Sequence, residues 1–130
     1  MIGDGLQKAI YAALTAAPAL CDGKVFDTVP MDTPAPYIHI GDCQVIDEGN
    51  SCADSWECYT DIHVWSEPET GSKLEVMRIG AQIVPRLLAI AAVPGFTIVI
   101  STIENVRYLD DPDGVSKHGV ITVRHVLDEA

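Results

Sequence analysis

The residues best equipped for chemistry crowd into one stretch. His39, Cys43, Cys52, Cys58 and His63 fall within 25 residues of one another. Thiolates and imidazoles are the ligands zinc prefers. Their spacing leaves 3, 8, 5 and 4 residues between successive members, which is the pattern of no zinc module. Strand alternation also sends Cys58 and His63 to opposite faces of a sheet. Small buried thiols and surface imidazoles are the expectation here. A Cys52–Cys58 disulfide across a bulge is a second geometric option. Cys43 or Cys58 beside His39 would make the nucleophile and base of a thiol enzyme, but no third residue is marked to orient them. The chain has no G-x-S-x-G elbow, no phosphate-binding glycine loop and no H-E-x-x-H. No catalytic residue, cofactor site or metal ligand is assigned.

The remaining candidates read as structure. Asp110, Asp111 and Asp113 suggest a cation site, yet the further spaced oxygen ligands of a calcium loop are missing. The run Asp110-Asp111-Pro112-Asp113-Gly114 is good turn chemistry: proline presets φ and glycine accepts a positive φ. His118 and His125 flank the strand after that turn and are expected solvated, or partly buried and neutral. Trp56 and Trp65 stand at the two ends of one strand and face opposite sides. At most one belongs to the main core; Trp65, beside Asp61 and His63, is the candidate anchor for a partner subunit.

These residues need elements to position them. Residues 4–16 read as a helix, with Asp4 as cap and Leu6, Ile10, Ala13 and Leu14 at helical spacing. Val25 to Asp27 is a brief strand, and Pro30 to Pro36 an extended loop with three prolines. Tyr37 to Gly41 is a strand, running on to about Ile46, with Ile38 and Ile40 on one face. Asp47 to Asp54 is a turn or open loop. In the strand Trp56 to Trp65, Cys58, Thr60, Ile62 and Val64 share one face, and Glu57, Tyr59, Asp61, His63 and Trp65 the other. Ser72-Lys73-Leu74-Glu75 matches a capping box. It opens a helix whose apolar stripe is Leu74, Met77, Ala81, Val84 and Leu88. Pro85 inside it predicts a kink or early end. A long hairpin over 96–127 closes the chain, with Phe96, Ile98 and Ile100 on one side and Ile121, Val123 and Leu127 on the return strand. The order α-β-β-β-α-β-β predicts an α+β fold: a mainly antiparallel sheet of about four to five strands, packed by two helices on one face.

Composition narrows the function. At 130 residues the chain is expected to form a single domain, 1–130, that needs no disulfide to fold. No apolar run reaches the roughly 18 residues of a membrane span. Met1-Ile2-Gly3-Asp4 lacks the basic start of a signal peptide, so the chain reads as made and kept in a cytoplasm. The net charge is −11. Residues 1–66 carry 10 acidic and 2 basic side chains, residues 67–130 carry 9 and 6. Gripping nucleic acid needs clustered Lys and Arg, and that class is disfavoured.

Several segments, in order, resemble the tail completion or tail terminator proteins of long-tailed bacteriophages and prophages. They are Leu6-Gln7-Lys8-Ala9-Ile10-Tyr11-Ala12-Ala13-Leu14, then Val25 to Pro30 followed by Pro36 to Asp42. Ile62-His63-Val64-Trp65-Ser66 is the sharpest. Arg107-Tyr108 to Asp113-Gly114 and His118-Gly119-Val120-Ile121 complete the set. None of these motifs is chemical. The resemblance implies a structural virion protein without cofactor. It would form a homo-oligomeric ring, expected to be a hexamer, on the head-proximal end of the tail tube. That ring would stop tube growth and meet the head connector or stopper, with DNA passing through its lumen without specific binding. Closed rings need two different patches on each subunit. The candidate interface residues are Asp47, Glu48 and Asp54 in one loop, Asp111, Asp113 and Lys117 in another, and Trp65. Another head–tail connector component is the nearest alternative. A thiol or zinc enzyme using His39, Cys43, Cys58 and His63 is the alternative of a different class, and a binding module without a virion role is the third.

Overall fold

A computed structural model describes residues 2–50 and 52–130. Apolar residues every four positions make the first helix, α1 (Ile2–Thr15), and Ile2, Leu6, Ile10 and Leu14 are all buried. Asp4 lies inside its first turn and is not its cap. There it suits the positive end of the helix dipole and pairs with exposed Lys8 at 3.6 Å. A 3-10 turn over Leu20–Gly23 leads to β1 (Val25–Phe26), and the proline-rich loop then delivers β2 (Tyr37–Asp47). Next come β3 (Ser55–Ser66), α2 (Leu74–Leu88), β4 (Ala92–Val93), β5 (Phe96–Asp110) and β6 (Lys117–Glu129).

The strands form one sheet in the order β1-β2-β3-β6-β5-β4. Only β1 and β2 run parallel. The fold is α+β, with six strands where four to five were expected. The extra strand is β4, two residues that turn back through Pro94-Gly95 to pair with Thr97 and Phe96. Both helices cover one face. The core joins Leu6, Ile10 and Leu14 of α1, Val76, Ile83 and Leu87 of α2, and the inward side chains of β2, β3 and β6. Full burial of each such Leu or Ile contributes about 1.5–3 kcal/mol. The sheet curls around α1, whose Gly3 lies against Val45 and whose Gly5 lies against Val93 and Pro94.

The second helix differs from its reading in three ways. Its buried face is Val76, Gly80, Ile83 and Leu87, whereas Leu74, Met77 and Leu88 are exposed. Only the stripe of Glu75, Arg78, Gln82 and Arg86 is polar, so the apolar side is broad enough for two stripes to satisfy helical spacing. Tyr108 decides between them: its ring lies over Gly80 and Gly119, where a Cβ would collide with it. The expected capping box is half formed. Ser72 Oγ accepts the Leu74 N–H at 3.1 Å, but Glu75 does not reach back. Its carboxylate accepts the Ser66 hydroxyl at 2.7 Å. Finally, the helix runs through Pro85 to Leu88. The missing N–H costs one hydrogen bond near the end, and the Ala89 N–H still reaches Pro85 O at 3.1 Å.

The closing hairpin corrects a fourth expectation. Register shifts in β5, between Ile98 and Ile100 and between Ile103 and Asn105, insert bulges that reset alternation. Ile100 consequently faces outward and is exposed, and Ser101 takes the inward place opposite His125.

The phase of α2 is checked by two truncations. Ile83→Ala should cost about 2–5 kcal/mol, as expected for a buried isoleucine. Leu88→Ala should stay within about 0.5 kcal/mol. Urea unfolding at unchanged slope measures both, and equal losses would contradict the assignment.

Candidate functional site

The chemistry-bearing side chains gather on the face of the sheet turned away from the helices. β3 and β6 pair without interruption from Ser55↔Asp128 to Ser66↔Lys117. That register sets their outward residues side by side. Arg124 donates through Nε and Nη2 to Glu57 Oε2 at 3.0 and 2.7 Å. Thr122 donates its hydroxyl to Asp61 at 2.7 Å. Beyond them lies a row of rings. His39 stacks on His63 with centroids 5.6 Å apart, His63 on His118 at 5.0 Å, and His118 on Trp65 at 3.9 Å and 8°.

Two imidazoles of this row share a hydrogen bond, His63 Nδ1 to His118 Nε2, at 2.8 Å. One nitrogen donates and the other must be unprotonated. His39 Nε2 donates to Asp27 O at 2.9 Å. Gly41 leaves the space that the His63 ring fills. Burial holds the His63 imidazole below its usual pKa, and the neighbouring His39 adds to the effect. Burial acts likewise on His118, with His63 as the second cause.

The inner face holds the fourth histidine. His125 is fully buried, not solvated or partly exposed. Its Nε2 donates to Leu87 O at 3.0 Å, near the end of α2, and Nδ1 has no hydrogen-bond partner among the described residues. Burial depresses its pKa too.

The cysteines do not converge with the histidines. Cys58 is buried, while Cys43 and Cys52 are exposed, which corrects the expectation of buried thiols. Strand position explains it: Cys43 follows a bulge at the open margin of β2, and Cys52 lies in the loop before β3. Desolvation raises the Cys58 thiol to about 11 and the Cys21 thiol to about 11, which suppresses the thiolate a nucleophile needs. Among the described residues no group of three or more His, Cys, Asp or Glu is placed to hold a metal ion. No helix among them is long and apolar enough to cross a membrane.

The predicted interface residues lie in three places. Asp47 ends β2 and Glu48 follows it, and Asp47 accepts the Gly49 N–H at 2.9 Å; Asp54 takes the Glu129 N–H at 3.1 Å through its carbonyl. Asp111 and Asp113 build the hairpin turn. Asp113 Oδ1 accepts from the N–H groups of Val115 at 2.8 Å and Ser116 at 2.7 Å, and the Ser116 contacts hold its carboxyl below the usual range. Lys117 is buried, with its ammonium 2.7 Å from Asp110. Trp65 is half-buried under His118. Sequence reasoning placed His63 and Trp65 on one face but missed their meeting with His118. That contact depends on a pairing 55 residues away, for which no local signal exists.

Residues 8–128 match the family model of the tail completion protein gp17. The chain belongs to that family. A relative from Bacillus phage SPP1, named tail completion protein gp17, is 28% identical over 125 residues, covering 94% of this chain and 91% of its own. The solved structure of the bacteriophage SPP1 gp17 protein superposes with a TM-score of 0.65 at 28% identity, over 95% of this chain and 89% of that one. A chain of the virion of a native gene transfer agent particle shares the fold, with a TM-score of 0.87 at 17% identity over 98% and 97% of the two chains. This tail completion family member is a structural protein of the bacteriophage tail type.

The histidines make its stability pH-dependent. His63, His118 and His125 have depressed pKa values when folded. The unfolded chain therefore takes up protons first as pH falls. Their contribution is complete above the unfolded histidine pKa of about 6.5 and is lost below it. The melting temperature should fall between pH 7 and 5.5, before carboxylates titrate. His118→Gln should flatten part of that slope. A profile level across this window in the unmodified protein would refute the assignment.

Proposed function

We propose that this protein is a tail terminator. Copies of it form a ring on the head-proximal end of the tail tube, end tube polymerisation and join the tail to the head connector. Family membership across residues 8–128 carries the reading. The geometry supports it in physical terms. Rings require two unlike patches per subunit, and the sheet has unlike margins: two-residue β1 on one side, two-residue β4 on the other. The net charge of −11 suits a conduit through which DNA slides without being gripped. The loops holding Asp47, Glu48 and Asp54, and Asp111 and Asp113, are the proposed docking points for tube and connector, with Trp65 and Lys117 at their bases. Six copies per ring, assembly in the host cytoplasm and a single folding unit over 1–130 belong to the same proposal.

A role as another joining component of the connector is the second reading, since both jobs use small ring-forming α+β chains. Deleting the gene separates them. A terminator's loss gives overlong tails that never meet heads, measured by electron microscopy of lysates. Tails of normal length left unjoined would favour the joining role, and normal joined virions would overturn both.

A further inference from the structure

The core of this protein is complete, but its sheet is not. On one side, β4 covers only Phe96 and Thr97 of β5, and the Ile98 N–H reaches Ala91 O at 2.9 Å. From Val99 to Asp110 that rim of β5 pairs with no strand among the described residues. On the other side, β1 covers only Ile38 and His39 of β2, so the rim from Gly41 to Asp47 is equally unpaired. A long free edge invites another strand unless it is guarded.

The two rims match in length and charge. The bulge at Glu104 leaves Asn105 to Asp110 regular in β5. The irregularity at Gly41-Asp42 leaves Cys43 to Asp47 regular in β2. Each is about five to six residues, an ordinary strand length. Residues 41–48 contain three acids, Asp42, Asp47 and Glu48, and no base. Beside the β5 rim stands Arg107, which is exposed and makes no ion pair among the described residues. Glu104 is the acidic exception there, and Asp110 is held by both Lys73 and Lys117. The β5 rim is also apolar on both faces where a monomer would be polar: Val106 on the helix side is 36% and Leu109 on the outer side 38% exposed.

We infer that neighbouring copies of this chain meet edge to edge, the β5 rim of one copy against the β2 rim of the next. Main-chain hydrogen bonds supply the contact, and the opposite charges select β2 over a second β5. Pairing of unlike rims is heterologous, so it propagates around a circle and does not stop at two. The bulges add the twist and bend that a sheet running around a ring requires. This inference rests on the ring reading and names the surfaces that close the ring.

The test uses the full chain assembled on tail tubes. Val106→Cys puts a thiol on the helix-bearing side of β5, the side on which native Cys43 stands in β2 opposite Thr60. A short bismaleimide should then yield a covalent ladder reaching the full ring, and Val106→Cys with Cys43→Ser should yield none. A second variant, Arg107→Glu, alters only an exposed side chain. It should keep the circular dichroism and melting temperature, yet cut capture by tubes at least tenfold. A ladder that persists without Cys43, a ladder that ends at two copies, or undiminished capture of Arg107→Glu would overturn the edge pairing and leave the ring standing. Unmodified protein that forms no ring on tubes would overturn the ring reading and this inference together.

Discussion

The uninterrupted register between β3 and β6 governs the rest of the structure. Twelve residue pairs, Ser55↔Asp128 through Ser66↔Lys117, match without a bulge. Because side chains alternate, a slip of one residue would turn every one of them to the wrong face. The register buries Cys58, Thr60, Ile62 and Val64 with Ile121, Val123, His125 and Leu127 under the helices. It sets the Glu57–Arg124 pair, the Asp61–Thr122 bond and the His63–His118 contact on the opposite face. The flanking strands can bend because this centre does not. Both β2 and β5 carry irregularities, and each adjoins one member of the unbroken pair.

The helices are fixed to that centre by polar contacts at their ends as well as by apolar area. Arg86 of α2 donates to the carbonyls of Ala13, Leu14, Ala16 and Pro18. The Ala13 and Leu14 carbonyls are among those that the end of α1 would otherwise leave unsatisfied, and a cation there also complements the helix dipole. His125 does the reciprocal service from the sheet, donating to Leu87 O near the C-terminal end of α2. A histidine buried in this role must stay neutral, so stability of the packing and the protonation state of one ring are a single equilibrium. Ser66 and Glu75 join the start of α2 to the end of β3. The helix is therefore held at both ends, and its middle can rely on the close approach of Tyr108 to Gly80.

How much of this the sequence disclosed follows from the range of each interaction. α1, the faces of β3 and the turn at Asp113 depend on neighbours within a few residues, and all three were legible. The phase of α2 was not. Two apolar stripes were available, and Gly80, which marks the buried one, contributes nothing to a hydrophobic count. The bulges in β5 were invisible because Val99 and Glu104 look like any other strand residues, and so Ile100 was given the wrong face. The ring row on the outer face was half legible: parity put His63 and Trp65 together, but His39 and His118 join them only through the β2–β3 and β3–β6 registers. The resemblance to tail completion proteins worked differently, since ordered non-chemical segments identified a family without explaining any contact.

A protein whose work is assembly needs a rim that is stiff before it is used, because ordering a loose strand on contact would cost binding free energy. β5 meets that condition. It is paired along its length with β6, which is paired in turn with β3. Its far end is pinned by Asp110, whose carboxylate accepts from Lys73, just before α2, at 3.2 Å and Lys117 of β6 at 2.7 Å. Asp110 is exposed, so the pair with Lys73 adds little stability by itself. Its effect is geometric: it joins helix, rim and hairpin base at one point. The same two lysines hold the Asp110 carboxyl below its ordinary pKa, which favours the charged form that the junction uses. The turn beyond it is closed independently by Asp113 and Ser116. Pinning of this kind is what the proposed edge pairing requires of β5, a strand of fifteen residues that the other described strands leave uncovered for most of its length.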